Sequence, residues 1–475
     1  MKVYTSFSEV KIALQQKQAT CESIVKHYLQ VIEQKKHLNA FNEVFTESAL
    51  QKATEVDDKI KSGTAGKLAG MVIAIKDNIC YKGHKVSVSS KILENFQSIY
   101  SSTVVEKLLA EDAIIIGRTN CDEFAMGSSN ENSAFGKVLN PLDETTVPGG
   151  SSGGSAVAVA AGMCLASLGT DTGGSIRQPA SFTGTVGLKP TYGRVSRHGI
   201  VAYASSFDQV GPFSSNVEDT ALIMEVIAGQ DEYDATLSSQ KVDDYSNFNK
   251  PEKLKIAYIK DCFDSEGLDA EIKSTLLNHF EKLKQQGHSV EAVDFPYLDF
   301  LVPSYYVLTT AEASSNLGRY DGMRYGFRSA NATDLESTYK KSRSEGFGKE
   351  VKRRIMLGTF VLSEGYYDAY YGKAQKVRRL LLDKTNEILA KYDFIVMPTT
   401  PSVAFKFGQN SKDPIKMYLE DIFTVQANLT GLPAISIPAG KNKNNLPFGI
   451  QLMGKAFSEK ALLSFANYLE KEIVN

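Results

Sequence analysis

The chain contains 475 residues and carries 53 basic and 55 acidic side chains, which gives a formal net charge of −2. Hydrophobic residues make up 42% and charged residues 23% of the chain, as in globular proteins, so disorder throughout the chain is excluded. A protein that binds nucleic acid by itself normally carries a basic excess, and this sequence has none. The five cysteines are odd in number and form no Cys-x-x-Cys pair, which favours a reducing compartment and argues against a structural zinc site.

The N-terminal part, residues 1–65, is predicted to be helical because apolar residues recur at helical spacing, as at Ile24 and Tyr28. The sequence begins without the apolar segment of a secretory signal, so we expect a protein that is not exported. Residues 71–75 form a short, wholly apolar run, which predicts a buried strand. Lys76 follows directly at the end of that strand.

The middle of the chain contains the longest apolar stretch. A helix is expected at 103–111 and a second buried strand at 113–117. The stretch 156–168 is about 13 residues long, whereas a helix that crosses a bilayer needs roughly 20. We therefore predict a buried helix there and no contact with a membrane.

Strands and helices alternate in the second half of the chain. Two strands at 254–259 and 289–293 enclose a long helix at 268–286, and three further strand candidates follow at 394–397, 434–437 and 448–451. This alternation predicts an α/β layered fold with a largely buried sheet. No repeat or linker interrupts the sequence, so we expect a single domain over residues 1–475 with a polar surface excursion at 228–252.

Two glycine-rich loops, 149–155 and 170–175, flank the longest apolar stretch. Consecutive glycines let backbone N–H groups converge on one point, and such a loop can hold a phosphate or an oxyanion. A P-loop requires Gly-Lys-Ser/Thr, but neither loop contains lysine, and the Gly-x-Gly-x-x-Gly spacing of dinucleotide-binding proteins is also missing. The sequence therefore favours an oxyanion over a phosphate.

The same residues allow two kinds of serine nucleophile. Residues 150–154 match Gly-x-Ser-x-Gly, which would make Ser152 the nucleophile of an α/β-hydrolase and would require a histidine downstream. A serine can also be activated by a neutral lysine. Lys76 lies at the end of an apolar strand, where burial would have to lower its pKa from about 10.4 by roughly three units. A lysine after a strand is commonly solvated, so these residues alone leave both mechanisms open.

Three ordered segments at 74–78, 148–155 and 171–180 resemble the motifs of the amidase signature family. The resemblance implies the fold of that family, a large mixed β-sheet covered by helices on both faces. It also implies that the catalytic core lies within residues 66–215.

In that family a Ser–Ser–Lys triad carries the chemistry. The resemblance implies that Ser175 is the nucleophile, that Ser151 is the bridging serine and that Lys76 is the base. Ser152 then becomes a loop residue without a catalytic role. The implied oxyanion hole consists of Thr172, Gly173 and Gly174.

Further segments resemble the A subunits of glutamyl-tRNA(Gln)/aspartyl-tRNA(Asn) amidotransferases; they lie at 123–133, 187–197, 312–317, 319–322 and 353–359. In that family the A subunit hydrolyses glutamine and passes ammonia to a B subunit, which holds the misacylated tRNA and activates its carboxylate with ATP and Mg²⁺. A small C subunit wraps around the A–B junction. The resemblance thus implies a heterotrimer, no cofactor or metal in this chain, and a bacterial cytoplasm, with an organelle matrix as the alternative.

A tyrosine, an arginine and an aspartate grip the amino-acid end of glutamine in that family. The matching residues here are Tyr306, Arg354 and Asp421, although Tyr305 and Arg353 are adjacent and the assignment could shift by one. Arg354 lies in a basic run that by itself is predicted to be a solvated helix face. A stand-alone amidase that acts on small amides is the alternative function, and a charged pair at Arg354 and Asp421 argues against it.

Overall fold

The computed structural model describes residues 4–410 and 413–474, which form one mixed sheet of eleven strands with helices packed against it. Most of the central strands are buried at every position, as expected of a sheet that is covered on both faces. The predicted α/β fold with a large mixed sheet is therefore confirmed.

The strands alternate with helices along the chain. Within the described residues the strands are β1 (Phe41–Val44), β2 (Val72–Lys76), β3 (Ile114–Thr119), β4 (Ala166–Asp171), β5 (Val186–Lys189), β6 (Gln209–Ser214), β7 (Lys255–Ile259), β8 (Ser289–Val293), β9 (Phe394–Pro398), β10 (Ala434–Lys441) and β11 (Pro447–Met453). Their order across the sheet is β1-β3-β2-β4-β6-β5-β10-β11-β9-β7-β8. β2 runs parallel to β3 and β4, β7 runs parallel to β8 and β9, and the other neighbours are antiparallel.

The helices of the described chain are α1 (Phe7–Gln15), α2 (Cys21–Gln34), α3 (Thr46–Ser62), α4 (Thr103–Ala110), α5 (Gly153–Ala160), α6 (Arg177–Thr183), α7 (Val217–Ile227), α8 (Lys260–Phe263), α9 (Ala270–Gln285), α10 (Leu298–Asn316), α11 (Leu335–Gly346), α12 (Lys349–Val361), α13 (Lys373–Lys391), α14 (Pro414–Leu419), α15 (Val425–Thr430) and α16 (Glu459–Leu469). One turn of π-helix, Asp368–Gly372, leads into α13. In the part of the chain that is described, no helix is both long and apolar enough to cross a bilayer.

The prediction of one buried helix at 156–168 is wrong. α5 ends at Ala160, and the chain turns through Gly162, whose φ of +65° lies in the left-handed region that glycine adopts without strain. The remaining apolar residues then enter β4 at the centre of the sheet. A continuous apolar run does not distinguish a buried helix from a buried strand, which explains the error.

The prediction of a helical N-terminal part holds for most of that segment but misses a strand. α1, α2 and α3 cover much of the described residues 4–65. Between α2 and α3, β1 pairs with the edge of β3 in antiparallel register. Residues 1–3 of the predicted segment lie outside the described residues. Residues 228–254, all of them described, contain neither a helix nor a strand.

Two parallel strands bring distant parts of the sequence to one edge of the sheet. β2 and β4 are neighbours, with Ile75 opposite Leu168, so Lys76 at the end of β2 lies beside the last residues of β4. The Nζ atom of Lys76 is 3.0 Å from the Oγ1 atom of Thr170. The carboxyl ends of parallel strands meet at the same edge, where ligands commonly bind.

A buried ion pair fixes the loop that leaves β4. Asp171 and Arg177 are both inaccessible to solvent, and the guanidinium binds the carboxylate through two bonds, Nε to Oδ2 at 3.0 Å and Nη2 to Oδ1 at 2.9 Å. The carboxylate also accepts the N–H groups of Gly174 and Ile176. Although burial raises the pKa of Asp171, the charge and hydrogen bonds of Arg177 bring it down to about 2. The pair therefore stays ionised and holds residues 171–177 in one conformation.

Replacing Arg177 with methionine should destabilise the fold strongly, because it leaves the Asp171 carboxylate buried without its partner. Breaking a buried pair from one side typically costs about 3–5 kcal/mol, which urea unfolding of the full chain would measure. Arg379→Met is the matched control, since Arg379 pairs with Asp383 at the exposed surface, where ion pairs contribute little. Equal, small effects of the two substitutions would contradict this role of the buried pair.

Candidate active site

Lys76 lies at the bottom of the site and is completely buried. Its Nζ atom is 2.8 Å from Oγ of Ser151 and 2.8 Å from Oγ of Ser152, in addition to its contact with Thr170. Burial lowers the pKa of Lys76 to about 8, although the carboxylates of Asp122 and other nearby acids act in the opposite direction. A substantial fraction of this amine is therefore neutral at slightly alkaline pH, as a general base requires.

The hydrogen bonds around Lys76 favour Ser151 as its proton donor. The hydroxyl of Ser152 donates to the backbone carbonyl of Thr170 at 3.0 Å, so Ser152 can only accept a bond from Lys76. A neutral amine has two N–H donors and one lone pair. Ser151, which follows a cis peptide bond after Gly150, and Thr170 are the hydroxyls left to donate to that lone pair. Of these two, Ser151 belongs to the glycine-rich loop that the N–H of Ser152 ties to Ser175. Ser152 is fully buried and contacts the lysine through its hydroxyl.

Ser175 lies at the end of the glycine turn and keeps a small exposure of 8%. Its carbonyl oxygen accepts the N–H of Ser152 at 3.3 Å, which ties the two glycine-rich loops together. The turn fits closely against the protein at Gly173, where a Cβ atom would lie 2.4 Å from the ring of Tyr305. Thr424 donates its hydroxyl to the carbonyl of Gly173 at 2.6 Å and so holds the turn from the other side.

The three predicted oxyanion donors are not equivalent in the structure. The N–H of Gly174 donates to Oδ1 of Asp171 at 2.8 Å and is therefore occupied. The N–H groups of Gly173 and Ser175 have no acceptor among the described residues. The hydroxyl of Thr172 donates to Asp208 at 2.6 Å. The groups that remain available to an oxyanion are backbone donors on either side of Gly174.

The three predicted substrate-binding residues lie close together. The guanidinium of Arg354 lies 5.1 Å from the ring centre of Tyr306, and the hydroxyl of Tyr306 is 3.4 Å from Oδ2 of Asp421. All three side chains are buried. Burial raises the pKa of Asp421 to about 7, while bonds from Ser128 and Tyr306 and the charge of Arg354 oppose that shift.

The residues next to these three occupy different positions. Tyr305 packs against Gly173 in the catalytic turn. Arg353 has a side chain that is 39% exposed and pairs with Glu350 at the surface of α12. Of the basic run on this helix, Arg354 is thus buried, although the run alone predicts a solvated face. α12 carries both a solvated side and a side that faces the site.

A cavity of about 230 Å³ opens beside Arg354. Its lining includes residues that sequence analysis did not identify. Ser128 donates to Asp421 at 2.6 Å, and Glu350 accepts bonds from Arg354 at 2.9 Å and from Tyr418 at 3.1 Å. Polar residues in a loop or a basic helix give no pattern by which a sequence alone could assign them to a site.

Asn410 also lines this cavity, and its side chain is 2% exposed. Neither its amide nitrogen nor its amide oxygen has a hydrogen-bond partner among the described residues. The amide group nevertheless lies close enough to the Glu420 carboxylate to oppose the rise of its pKa. Buried polar groups are normally paired, so the amide oxygen is available to a ligand in the cavity. In the described parts of the chain, no cluster of three or more histidine, cysteine or acidic side chains is arranged to hold a metal ion.

Comparisons with known proteins agree with this geometry. A family model described as Amidase matches residues 23–463. Over 99% of its length the chain is 51% identical to the A subunit of glutamyl-tRNA(Gln) amidotransferase from Chlorobium phaeobacteroides and covers 100% of that protein. The protein of the same name from Koribacter versatilis is 52% identical over 97% of this chain and 96% of its own length.

Solved structures show the same relationship. The crystal structure of the glutamyl-tRNA(Gln) amidotransferase A subunit from Thermotoga maritima is 42% identical, with a TM-score of 0.79 over 95% of this chain and 92% of that one. A peptide amidase from Stenotrophomonas maltophilia is 27% identical, with a TM-score of 0.81 over 98% and 96% of the two chains. The chain therefore belongs to the amidase family, together with the glutamyl-tRNA(Gln) amidotransferase A subunits that it matches along their whole length.

Proposed function

We propose that this chain hydrolyses glutamine and supplies the ammonia to a tRNA-dependent amidotransferase that converts Glu-tRNA(Gln) to Gln-tRNA(Gln). The observation that carries the proposal is the buried contact between Lys76 and Ser151, 2.8 Å long, in a chain that matches amidotransferase A subunits from end to end. Asp-tRNA(Asn) is a second possible acceptor for an enzyme of this kind.

The chemistry begins with a proton relay. Ser151 gives its proton to the neutral amine of Lys76 and takes the proton of Ser175, whose oxygen attacks the side-chain carbonyl carbon of glutamine. Backbone N–H groups of the turn stabilise the negative oxygen that forms, and one such donor contributes about 10²–10³ in rate. The leaving nitrogen takes up the relayed proton and departs as ammonia. Water then attacks the Ser175 ester and releases glutamate, which restores the serine.

The substrate end of the site supports glutamine over an uncharged amide. Arg354 would pair with the α-carboxylate and Asp421 with the α-ammonium group, while the free amide oxygen of Asn410 could accept a bond from the ammonium group. These charges have no counterpart in a simple amide. A stand-alone amidase nevertheless remains the second candidate, because a peptide amidase has the same fold.

The remaining chemistry belongs to partner subunits in this proposal. The sequence has no P-loop and no basic excess, so this chain lacks a recognisable means of activating a carboxylate with ATP or of binding tRNA by charge. We assign ATP, Mg²⁺ and the misacylated tRNA mainly to a B subunit, with a C subunit completing a heterotrimer. The named relatives come from bacteria, which supports a bacterial cytoplasm.

Glutamine turnover should leave a transient glutamyl ester on Ser175. Intact-mass spectra taken during turnover, or after an electrophilic glutamine analogue, would detect the adduct, and peptide mapping would locate it. Ser175→Ala should abolish the adduct, whereas Ser152→Ala should still form it, with a lower rate because Lys76 loses one of its partners. An adduct that maps to Ser152 would overturn the assignment.

The pH dependence should separate the base from the substrate site. For an uncharged amide, kcat/KM should rise about tenfold per pH unit up to about 8 and then level off, because only neutral Lys76 is a base. Glutamine also needs ionised Asp421, whose pKa is about 7, so its kcat/KM should fall more steeply below pH 7. Lys76→Arg keeps the charge but cannot act as a base near neutral pH. A nearly normal rate in that variant would refute the relay.

Arg354→Ala should raise KM for glutamine by about 10- to 150-fold, since a charge-assisted hydrogen bond contributes roughly 1.5–3 kcal/mol. Hydrolysis of an uncharged amide should change little. Lys352→Ala is the matched control, because Lys352 is exposed on the same helix and does not line the cavity. Arg353→Ala tests the adjacent residue, which lines the cavity as well. If Arg353→Ala had the larger effect, the substrate assignment would have to shift by one residue. Equal losses on both substrates would indicate a structural role for Arg354.

A further inference from the structure

One short loop contacts both the catalytic turn and the substrate end of the site. Residues 203–208, which we call the 203–208 loop, lead into β6 and form neither a helix nor a strand. Tyr203 and Asp208 at its two ends are 1% and 4% exposed. Buried polar side chains in a loop are normally held by specific partners, and the partners of these two residues lie in different parts of the site.

The carboxylate of Asp208 binds the catalytic turn. Its Oδ1 atom accepts the hydroxyl of Thr172 at 2.6 Å, and its Oδ2 atom accepts the N–H groups of Tyr203 and Ala204 at 2.9 and 3.1 Å. Burial raises the pKa of Asp208 to about 6, although these three bonds favour the ionised form. At neutral pH the carboxylate therefore closes the loop on itself and fastens it to a residue three positions before Ser175.

The hydroxyl of Tyr203 lies between α10 and α12. Thr309 donates its only hydroxyl proton to the carbonyl of Tyr305 at 2.8 Å, so Thr309 can only accept the bond from Tyr203, 2.9 Å away. The proton of Tyr203 is thus committed to α10. Its oxygen accepts a bond from Nη1 of Arg354 at 3.0 Å, so Tyr203 presents a lone pair to the guanidinium.

Two neighbours fix the guanidinium of Arg354 and leave part of it free. Its Nε atom donates to Oε1 of Glu350 at 2.9 Å, and its Nη1 atom donates to Tyr203. Among the described residues Nη2 has no acceptor, and the side chain lines the cavity. A guanidinium that is held from two sides loses little further freedom when it binds a carboxylate, which strengthens binding.

We propose that Tyr203 and Asp208 are positioning residues of the glutamine site: Tyr203 orients Arg354 toward the substrate, and Asp208 holds Thr172 and thereby the catalytic turn. The inference rests on the proposed function, because it takes glutamine as the ligand of Arg354. The 203–208 loop would then set the distance between the guanidinium that binds one end of glutamine and the serine that attacks the other. A small misplacement between such groups lowers the rate although every reacting group is present.

Tyr203→Phe keeps the ring and removes the hydroxyl. In the full chain KM for glutamine should rise about tenfold, as expected when a hydrogen bond to a charged group is lost, while kcat and the hydrolysis of an uncharged amide should change little. In a chain that already carries Arg354→Ala, Tyr203→Phe should cause no further rise in KM. Tyr245→Phe is the matched control, because Tyr245 is 1% exposed and its hydroxyl has no partner among the described residues.

The other end of the loop is tested through Thr172. Thr172→Val removes the hydroxyl that Asp208 accepts and should lower kcat about 10- to 100-fold on glutamine and on the uncharged amide alike. Thr172→Ser keeps the hydroxyl and should restore most of the rate. Asp208→Asn leaves at least one of the three bonds unmade, because an amide nitrogen cannot accept. This variant should lower kcat on both substrates and also raise KM for glutamine.

The outcomes separate this inference from the proposed function. If the unmodified chain hydrolyses glutamine but the effect of Tyr203→Phe persists beside Arg354→Ala, or if Thr172→Val retains the normal kcat, the positioning proposal fails and the function stands. If the unmodified chain hydrolyses only the uncharged amide, the function fails, and calorimetric binding of glutamine to the chain with Ser175→Ala decides the role of the loop. Binding that Tyr203→Phe weakens about tenfold would uphold that role, and unchanged binding would overturn it.

Discussion

The buried pair of Asp171 and Arg177 is the interaction on which the site depends. Besides its two bonds to Asp171, the guanidinium donates to the carbonyl of Thr424 and to the side-chain oxygen of Asn428, at 2.8 and 2.7 Å. One group thus connects the end of β4 and the start of α6 with α15, which lies about 250 residues later in the chain. The fifth N–H donor binds the side-chain oxygen of Gln451. Since all five donors are used, the usual penalty for burying charge is largely offset. The turn that carries Ser175 is held by this pair before any substrate arrives.

Burial has a different effect on Lys76, where it favours the neutral form of the amine. Among the described residues no carboxylate binds its amine directly, and the three partners that it has are hydroxyl groups. Hydroxyl groups can satisfy the hydrogen bonds of a neutral amine. They stabilise the protonated amine less than a carboxylate would, so desolvation lowers the pKa of Lys76. Asp171 stays ionised because it binds Arg177, and Lys76 can lose its proton because it binds serines and a threonine. The two buried basic side chains at this edge of the sheet therefore have different roles: Arg177 holds the loop, and Lys76 can act as a base.

The sequence predicts the parts of this site that are close together in the chain, and it misses those that tertiary packing creates. The apolar run before Lys76 indicates its burial, and the paired glycines before Ser175 indicate a turn, because both depend on local chemistry. The engagement of Gly174 with Asp171 could not be predicted, since a carboxylate three residues away gives no sign of where it points. The unpaired amide oxygen of Asn410 and the bond from Ser128 to Asp421 depend on segments nearly 300 residues apart. The split of 156–168 into a helix and a strand was missed because both elements are equally apolar.

The residues that long-range packing brings to the site also explain why the fold alone does not determine the substrate. The TM-score is 0.81 with a peptide amidase and 0.79 with an amidotransferase subunit, although the identities are 27% and 42%. The backbone that holds Lys76, Ser151 and Ser175 can therefore serve either kind of amide, as is general for folds that host several activities. What differs must lie in side chains that reach the site from α10, α12 and the segment before α15. Those elements bring Tyr306, Arg354 and Asp421 into contact with one another, and Arg354 lines the cavity beside them. Substrate choice would then be set by side chains on these elements, without any change to the catalytic turn.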